Sequence, residues 1–354
     1  MSDRGKTLTS EFRRENLLGM DLVRASEAAA LNVFKWVGKG DKNAADQAAT
    51  DAIRGMLNLM DMRGTCTIGE GIKDEAPGIF LGEKLGTWRS DSPAVSIAVD
   101  PIDGTTLTAK GLPGAVSVIA AAETPSPSEK ALVSVPSVYM DKLAVGPKVK
   151  EGTGTIRLDV GIEQNLELIA LKLGKRMRDL VVCLLDRTRH DALIARIRRT
   201  GASIRLIGDG DIAGALAPSL PDSGVDVYVG VGGSPEAVLA AAAIRCLGGE
   251  LLARIHPRDE AERNALLESG YDEERLRHIY DAEEMAKGDS TVFVATGVTD
   301  SPLLKGVMID GPIARTQSVV MRSRSRTIRY VTAYHDLTRK TIRLHSEGGD
   351  TPIP

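Results

Sequence analysis

The chain has few aromatic side chains, few cysteines and few histidines, and it has no long apolar run. Aromatics are 3% of its 354 residues. That scarcity argues against a stacking platform for single-stranded nucleic acid. The three cysteines, Cys66, Cys183 and Cys246, are scattered, odd in number and free of any Cys-x-x-Cys spacing. They read as buried, reduced thiols of a cytoplasmic protein rather than as a disulfide frame. The five histidines include no His-x-x-x-His pair, so zinc is disfavoured. No apolar stretch approaches the ~20 residues that span a bilayer, and the charged N-terminus lacks the apolar core of a signal peptide. Charge of one sign is also missing. With 45 basic and 48 acidic residues the net charge is −3, and no global basic field exists to attract nucleic acid. Neither nucleic acid nor membrane is expected as a partner. The basic stretch Arg322-Ser323-Arg324-Ser325-Arg326 runs into Ile328, Tyr330 and Val331 and reads as a solvated strand face.

The composition that remains is globular: 42% apolar and 26% charged. The length suits two domains of about 150 residues each. Residues 11–37 carry a helical stripe of Leu18, Leu22, Ala25, Ala29 and Val33, stopped by Gly38 and Gly40. A second helix is expected over 43–60, with Asp46 on its first turn, and strands over 65–68, 95–99 and 116–121. Residues 143–145 close the first unit, which is bounded at 1–160. From residue 161 strand and helix alternate. Strands are expected at 180–185, 203–207, 225–229, 250–255 and 291–295, with helices between them. This pattern predicts a mostly parallel sheet in a second unit, 161–335, with ligands beyond its strand ends. Residues 336–354 form an extension, partly disordered over its tail at 347–354.

One hexapeptide stands out: Asp100-Pro101-Ile102-Asp103-Gly104-Thr105, directly after the apolar run 95–99. Two carboxylates, a turn and a hydroxyl leave a buried strand end together, an arrangement that suits divalent cations held against a phosphate. Further carboxylates that follow strands or open helices are Asp46, Glu70 and Glu236. Taken singly, Asp46 and Glu236 also suit a first helical turn. Together with Asp100 and Asp103 they form an all-oxygen set for Mg²⁺ or Mn²⁺. Two such ions can clamp a phosphate and acidify water. Thr105 can orient that water or cap a helix, and the N–H groups of Gly104 and Thr105 can hold phosphate oxygens. Arg187-Thr188-Arg189-His190 suggests a second anion pocket, which Tyr139 could join. Asp209-Gly210-Asp211 offers acceptors for sugar hydroxyls or an ordinary turn. Gly230-Val231-Gly232-Gly233-Ser234-Pro235-Glu236 is a glycine-rich loop opening a helix, without the spacing of a dinucleotide fingerprint.

In order along the chain, Gly40-Asp41-Lys42-Asn43-Ala44-Ala45-Asp46, Ile68-Gly69-Glu70-Gly71, Asp74-Glu75-Ala76-Pro77, the hexapeptide, Tyr139-Met140-Asp141-Lys142-Leu143, Arg189-His190-Asp191, Asp209-Gly210-Asp211 and Gly232-Gly233-Ser234-Pro235-Glu236 resemble class II fructose-1,6-bisphosphatases. These enzymes belong to the lithium-sensitive, metal-dependent sugar phosphatase superfamily that includes inositol monophosphatase. The resemblance implies an α/β (α+β) fold, a two-domain layered α-β-α-β-α sandwich, in a homo-oligomer, dimer or tetramer. It implies Mg²⁺ or Mn²⁺ on Asp46, Glu70, Asp100, Asp103 and Glu236. Substrate contacts follow at Asp103, Gly104, Thr105, Tyr139, Arg187, Thr188, Arg189, Asp209, Gly210, Asp211 and Gly233. The implied activity is gluconeogenic hydrolysis of the 1-phosphate of fructose 1,6-bisphosphate, with Thr105 orienting the water and Asp46 or Glu70 taking its proton. Sedoheptulose 1,7-bisphosphate, an inositol monophosphate or a non-catalytic phosphosugar sensor are the alternatives. The stretch past His335 lies outside the pattern.

Overall fold

The computed structural model describes residues 3–69, 79–135, 138–151, 153–288, 290–346 and 350–353. It divides into two units, one of Met1–Ala131 with Gly288–Pro354 and the other of Leu132–Lys287. The first opens with helix α1 (Asp3–Val33), which buries the expected stripe from Leu18 to Val33, and the chain turns at Gly38 and Gly40. Helix α2 (Lys42–Leu57) is capped by Asp41, whose carboxylate accepts from Ala44 N. Strands β1 (Arg63–Ile68), β2 (Lys84–Leu85) and β3 (Ala94–Asp103), the short helix α3 (Thr105–Lys110) and strand β4 (Val116–Thr124) follow. Every residue of β3 is buried, as its near-continuous apolar run dictates for a central strand.

The second unit holds β5 (Tyr139–Val145), α4 (Pro147–Lys150), α5 (Ile162–Leu173), β6 (Val181–Leu185), α6 (Asp191–Thr200), β7 (Ser203–Ile207) and α7 (Asp211–Leu216). It continues through β8 (Val227–Gly233), α8 (Ser234–Leu247), β9 (Glu250–Ile255), α9 (Glu260–Glu268), α10 (Glu273–Arg277), β10 (Ile279–Tyr280) and α11 (Ala282–Met285). The sheet order is β10-β9-β5-β8-β6-β7. It is mixed rather than mostly parallel. Strands β6, β7 and β8 run parallel, while β5 is antiparallel to both β8 and β9.

The chain then returns to the first unit with β11 (Thr291–Gly297), β12 (Met308–Asp310), β13 (Ile313–Arg322), β14 (Thr327–Asp336), β15 (Thr341–Arg343) and β16 (Asp350–Pro352). The large sheet has the order β12-β13-β11-β4-β3-β1-β2, with β14 beside β13. Helix α1 packs on β4, β11 and β13, and α2 packs on α1, α3 and β3.

Three expectations are corrected. The division falls at 131/132 and 287/288 rather than at 160/161, because β5 lies at the centre of the second sheet and β11 at the centre of the first. The basic stretch ending at Arg326 is mostly the turn of the β13–β14 hairpin; the exposed strand begins after it. The extension is ordered where described: β15 pairs with β16, and Ile342 and Ile353 are buried in the core beside α1 and α2. Ser346 donates to Asp51 on α2 from its backbone N (2.7 Å) and its Oγ (2.5 Å). A Cβ at Gly55 would run into the carbonyl of Arg343, so glycine there sets how closely the extension approaches α2. Residues 347–349 and 354 of the expected tail lie outside the described residues. Among the described residues no helix is long and apolar enough to cross a membrane.

Candidate active site

In the first unit the acidic hexapeptide is not a loop after a strand; its first four residues continue β3. Asp100 pairs with Val118 and Asp103 with Val116, so two residues, Pro101 and Ile102, stand against one on β4. This is a β-bulge, a place where proline's missing N–H leaves no gap in the ladder. It also explains the spacing of the acids. Three residues of regular strand would put the two carboxylates on opposite faces. The bulge sets them opposite Val118 and Val116, which share a face. Both are buried, at 6% and 5% exposure. Gly104 then turns the chain with φ 101°, a left-handed conformation that glycine adopts without strain. Thr105 is the first residue of α3 and its Oγ1 donates to Ile102 O (3.1 Å).

The start of α2 is tied to α3. Gly38 N and Gly40 N donate to Thr108 O and Ala109 O, and Lys42 Nζ donates to Thr106 Oγ1 (2.9 Å). Asp46 is half-buried on this helix. Because α2 begins at Lys42, Asp46 falls in its second turn, where a favourable helix-start charge no longer accounts for an acid. Glu70, with Gly71 and the acidic stretch at Asp74 and Glu75, lies outside the described residues.

The second unit gathers the other expected residues by topology. Strands β6, β7 and β8 are parallel, so the turns after them, carrying Arg187 to His190, Asp209 to Asp211 and Gly233 to Glu236, leave one end of the sheet. Strand β5 starts at that end, with Tyr139 opposite Gly233. Arg189 donates from Nε and Nη2 to Val231 O (3.1 and 2.8 Å), and its guanidinium lies over the Tyr139 ring at 4.9 Å. Arg187 donates from Nη1 to Asp186 O and Gly208 O (3.0 and 2.6 Å), with Nη2 3.6 Å from Asp209. Backbone carbonyls orient both forks, Asp209 offsets part of the Arg187 charge, and no carboxylate pairs with Arg189 among the described residues. Thr188 is exposed between them, and Gly210 caps α7.

Two members of the expected pocket turn inward instead. His190 is buried; Val231 N donates to its Nε2 (2.8 Å), so Nδ1 carries the proton and donates to Leu185 O (2.8 Å). Burial pushes its pKa down, and the neutral ring braces β6 against β8. Asp211 accepts from Lys142 Nζ (2.6 Å) on one oxygen and from the Tyr228 hydroxyl on the other. Lys142 is 1% exposed and Tyr228 is fully buried. Neither Lys142 nor Tyr228 is singled out by the sequence reading. The available signal was a lysine amid the apolar residues of β5.

Glu236 sits in the first turn of α8 and folds back over Gly233, where any Cβ would meet its carboxylate. Gly232 leaves room for Asp211 in the same way. Burial raises the Glu236 carboxyl above the usual range, and the Lys142 ammonium pulls the other way. Its Oε2 is buried with no hydrogen-bond partner among the described residues. A buried, unsatisfied carboxylate oxygen is costly, and a hard cation is the partner that its chemistry fits. Among the described residues no three His, Cys, Asp or Glu side chains group as a metal site; Glu70 is not among them, and Asp46, Asp100 and Asp103 belong to one unit and Glu236 to the other.

Residues 16–335 match the family model described as bacterial fructose-1,6-bisphosphatase, glpX-encoded. The chain is 44% identical over 330 residues to a fructose-1,6-bisphosphatase class 2 of Haemophilus influenzae, covering 90% of this chain and 96% of that one. It is 41% identical over 339 residues to fructose-1,6-bisphosphatase 1 class 2 of Escherichia coli strain K12, covering 93% and 97%. The bulged acidic strand and the arginine-lined strand ends therefore belong to a member of the glpX-encoded bacterial fructose-1,6-bisphosphatase family.

Proposed function

We propose that the chain hydrolyses fructose 1,6-bisphosphate to fructose 6-phosphate and phosphate, in gluconeogenesis, as a cation-dependent phosphoric monoester hydrolase. The observation that carries this choice of substrate is the pair of guanidinium forks at Arg187 and Arg189, beside Tyr139. A monophosphate needs no such second anion pocket. A phosphate seated there is gripped by charge-assisted hydrogen bonds in a preset geometry. Asp209, half-buried and paired with Arg187, is the acceptor left for sugar hydroxyls, since Asp211 is engaged with Lys142 and Tyr228.

Thr105 donates its hydroxyl hydrogen bond to Ile102 O, so its oxygen is left to accept a hydrogen bond from the attacking water and aim that water's lone pair outward. Asp46 or Glu70 takes the proton that the water loses. Asp46, Glu70, Asp100, Asp103 and Glu236 are the residues that would hold Mg²⁺ or Mn²⁺. Such ions, when bound, neutralise phosphoryl charge and acidify water. The buried free thiols Cys66, Cys183 and Cys246 support a reducing, cytoplasmic setting. A homo-oligomer completes the reading.

Phosphate release from a panel of sugar phosphates, with Mg²⁺ or Mn²⁺ and with added Li⁺, tests it. Fructose 1,6-bisphosphate is expected to lead sedoheptulose 1,7-bisphosphate and inositol monophosphate, with Li⁺ inhibiting. Equal turnover of monophosphates, or turnover undiminished by chelation, overturns it.

A further inference from the structure

Six of the thirteen exposed large apolar side chains among the described residues sit on three neighbouring strands. They are Met308 and Ile309 on β12, Ile313 on β13, and Ile328, Tyr330 and Tyr334 on β14. Single exposed apolar residues are ordinary; a cluster is not. Tyr330 and Tyr334 are 54% and 72% exposed. Strand β14 pairs with β13 along all ten of its residues without a register shift. Among the described residues no strand pairs with its other edge. Sheet edges are normally guarded by lysine, proline, a bulge or very short length. β14 has none of these; Arg329 is its one basic side chain apart from His335, which is buried against Thr316. A long, regular, open edge of this kind takes up another strand.

The sequence of β14 indicates which strand. Tyr330-Val331-Thr332-Ala333-Tyr334 reads nearly the same in both directions about Thr332. Laid antiparallel on a second copy of itself, Thr332 faces Thr332 and each Tyr330 faces Tyr334 of the other copy. Residues of the same parity stand opposite one another, as an antiparallel ladder requires. Threonine pairs and aromatic pairs are favourable directly across such a ladder. Ile328 then faces Asp336 of the other copy, so no acid faces an acid. We propose that β14 is the contact between two copies of this chain, paired antiparallel about a two-fold axis through Thr332. This contact gives a surface to the homo-oligomer of the proposed reading and rests on that part of it alone, not on the reaction.

The register makes the test specific. In the full-length chain, Thr332→Cys is expected to link two copies by a disulfide under mild oxidation. Tyr330→Cys or Tyr334→Cys alone should not link, since each residue is four positions from its own counterpart and out of disulfide reach. A mixture of those two variants should link. Tyr330→Lys should halve the mass seen by light scattering at micromolar concentration, with circular dichroism unchanged. A monomeric wild-type chain overturns the proposal. So does an assembly that survives Tyr330→Lys and in which Thr332→Cys does not link, because it uses another surface or another partner.

Discussion

Lys142 illustrates how one buried charge organises a site it need not touch. Its ammonium and the Tyr228 hydroxyl occupy the two oxygens of Asp211, and all three side chains are buried. Removing one partner of a buried ion pair leaves the other charge uncompensated. Lys142→Met is therefore expected to destabilise the protein by about 3–5 kcal/mol in urea unfolding, and Lys142→Met with Asp211→Asn to recover part of that loss. A stability for the single variant equal to wild type would show that Asp211 finds another cation. At Gly233 a methyl group is already too much, because Glu236 occupies that space. His335 gives the pH dependence. Thr316 donates to Glu27 and accepts from the protonated Nε2 of His335, and burial pushes the His335 pKa down to about 4. Between that value and about 6.5 the unfolded chain binds the proton that the native ring refuses. Stability is thus full above pH 6.5 and falls as pH drops toward 4. Glu27, whose carboxyl is raised by burial, works in the opposite sense, since it is stabilising when protonated. Comparison with His335→Gln isolates the histidine, and the wild type should lose about 2 kcal/mol relative to that variant between pH 7 and pH 5 in urea titrations. The residue types at the candidate site were legible, because carboxylates after apolar runs have few other reasons to be there. Which of them face inward was not, since Asp211 and Asp209 differ only in what packs against them.

Elements were easier to read than their partners. The apolar runs behind β6, β7, β8 and β9 announced four strands close to where they stand. Nothing local told β5 that it would join β8 and β9, or β11 that it would return to β4, because sheet pairing is decided by non-local packing. The continuation of β3 through Asp103 was hidden for a related reason: proline argues against a central strand unless a bulge receives it. Disorder is expected only over the tail of the extension at 347–354, yet Ile353 in that tail reaches the core together with Ile342. Gly55 makes that docking testable through a change of sign. Alanine in a helix interior is favoured over glycine by about 0.5–1 kcal/mol, but here its methyl would strike the Arg343 carbonyl. In the full chain Gly55→Ala should destabilise by about 1–3 kcal/mol, the usual range for overpacking. In a chain ending at residue 340 the same change should be neutral or stabilising. Thermal melts of the four proteins read both effects, and a Gly55→Ala penalty that persists without β15 and β16 would place the crowding elsewhere.

At the scale of the whole molecule, a buried carboxylate oxygen with no hydrogen-bond partner among the described residues makes stability depend on what is dissolved around the protein. Asp100 and Asp103 are buried in one unit, and Glu236 keeps a buried, unsatisfied oxygen in the other. A net charge of −3 is too small to matter globally, so the unfavourable energy is local to the Glu236 carboxylate. Any cation that binds the native state and not the unfolded one adds RT ln(1 + [L]/Kd) to stability, about 2.7 kcal/mol at a concentration a hundredfold above Kd. Two consequences of opposite sign follow for Glu236→Gln. In chelator the variant should be the more stable protein, because a neutral amide is cheaper to bury than a carboxylate whose oxygen has no hydrogen-bond donor among the described residues. In Mn²⁺ or Mg²⁺ the wild type should gain stability and the variant should gain less, so that their order reverses. Differential scanning fluorimetry with EDTA and with increasing Mn²⁺ follows both curves without relying on turnover. Parallel curves, with the same order at every cation concentration, would mean that Glu236 is no ligand and that its buried oxygen serves the packing of Gly233 alone.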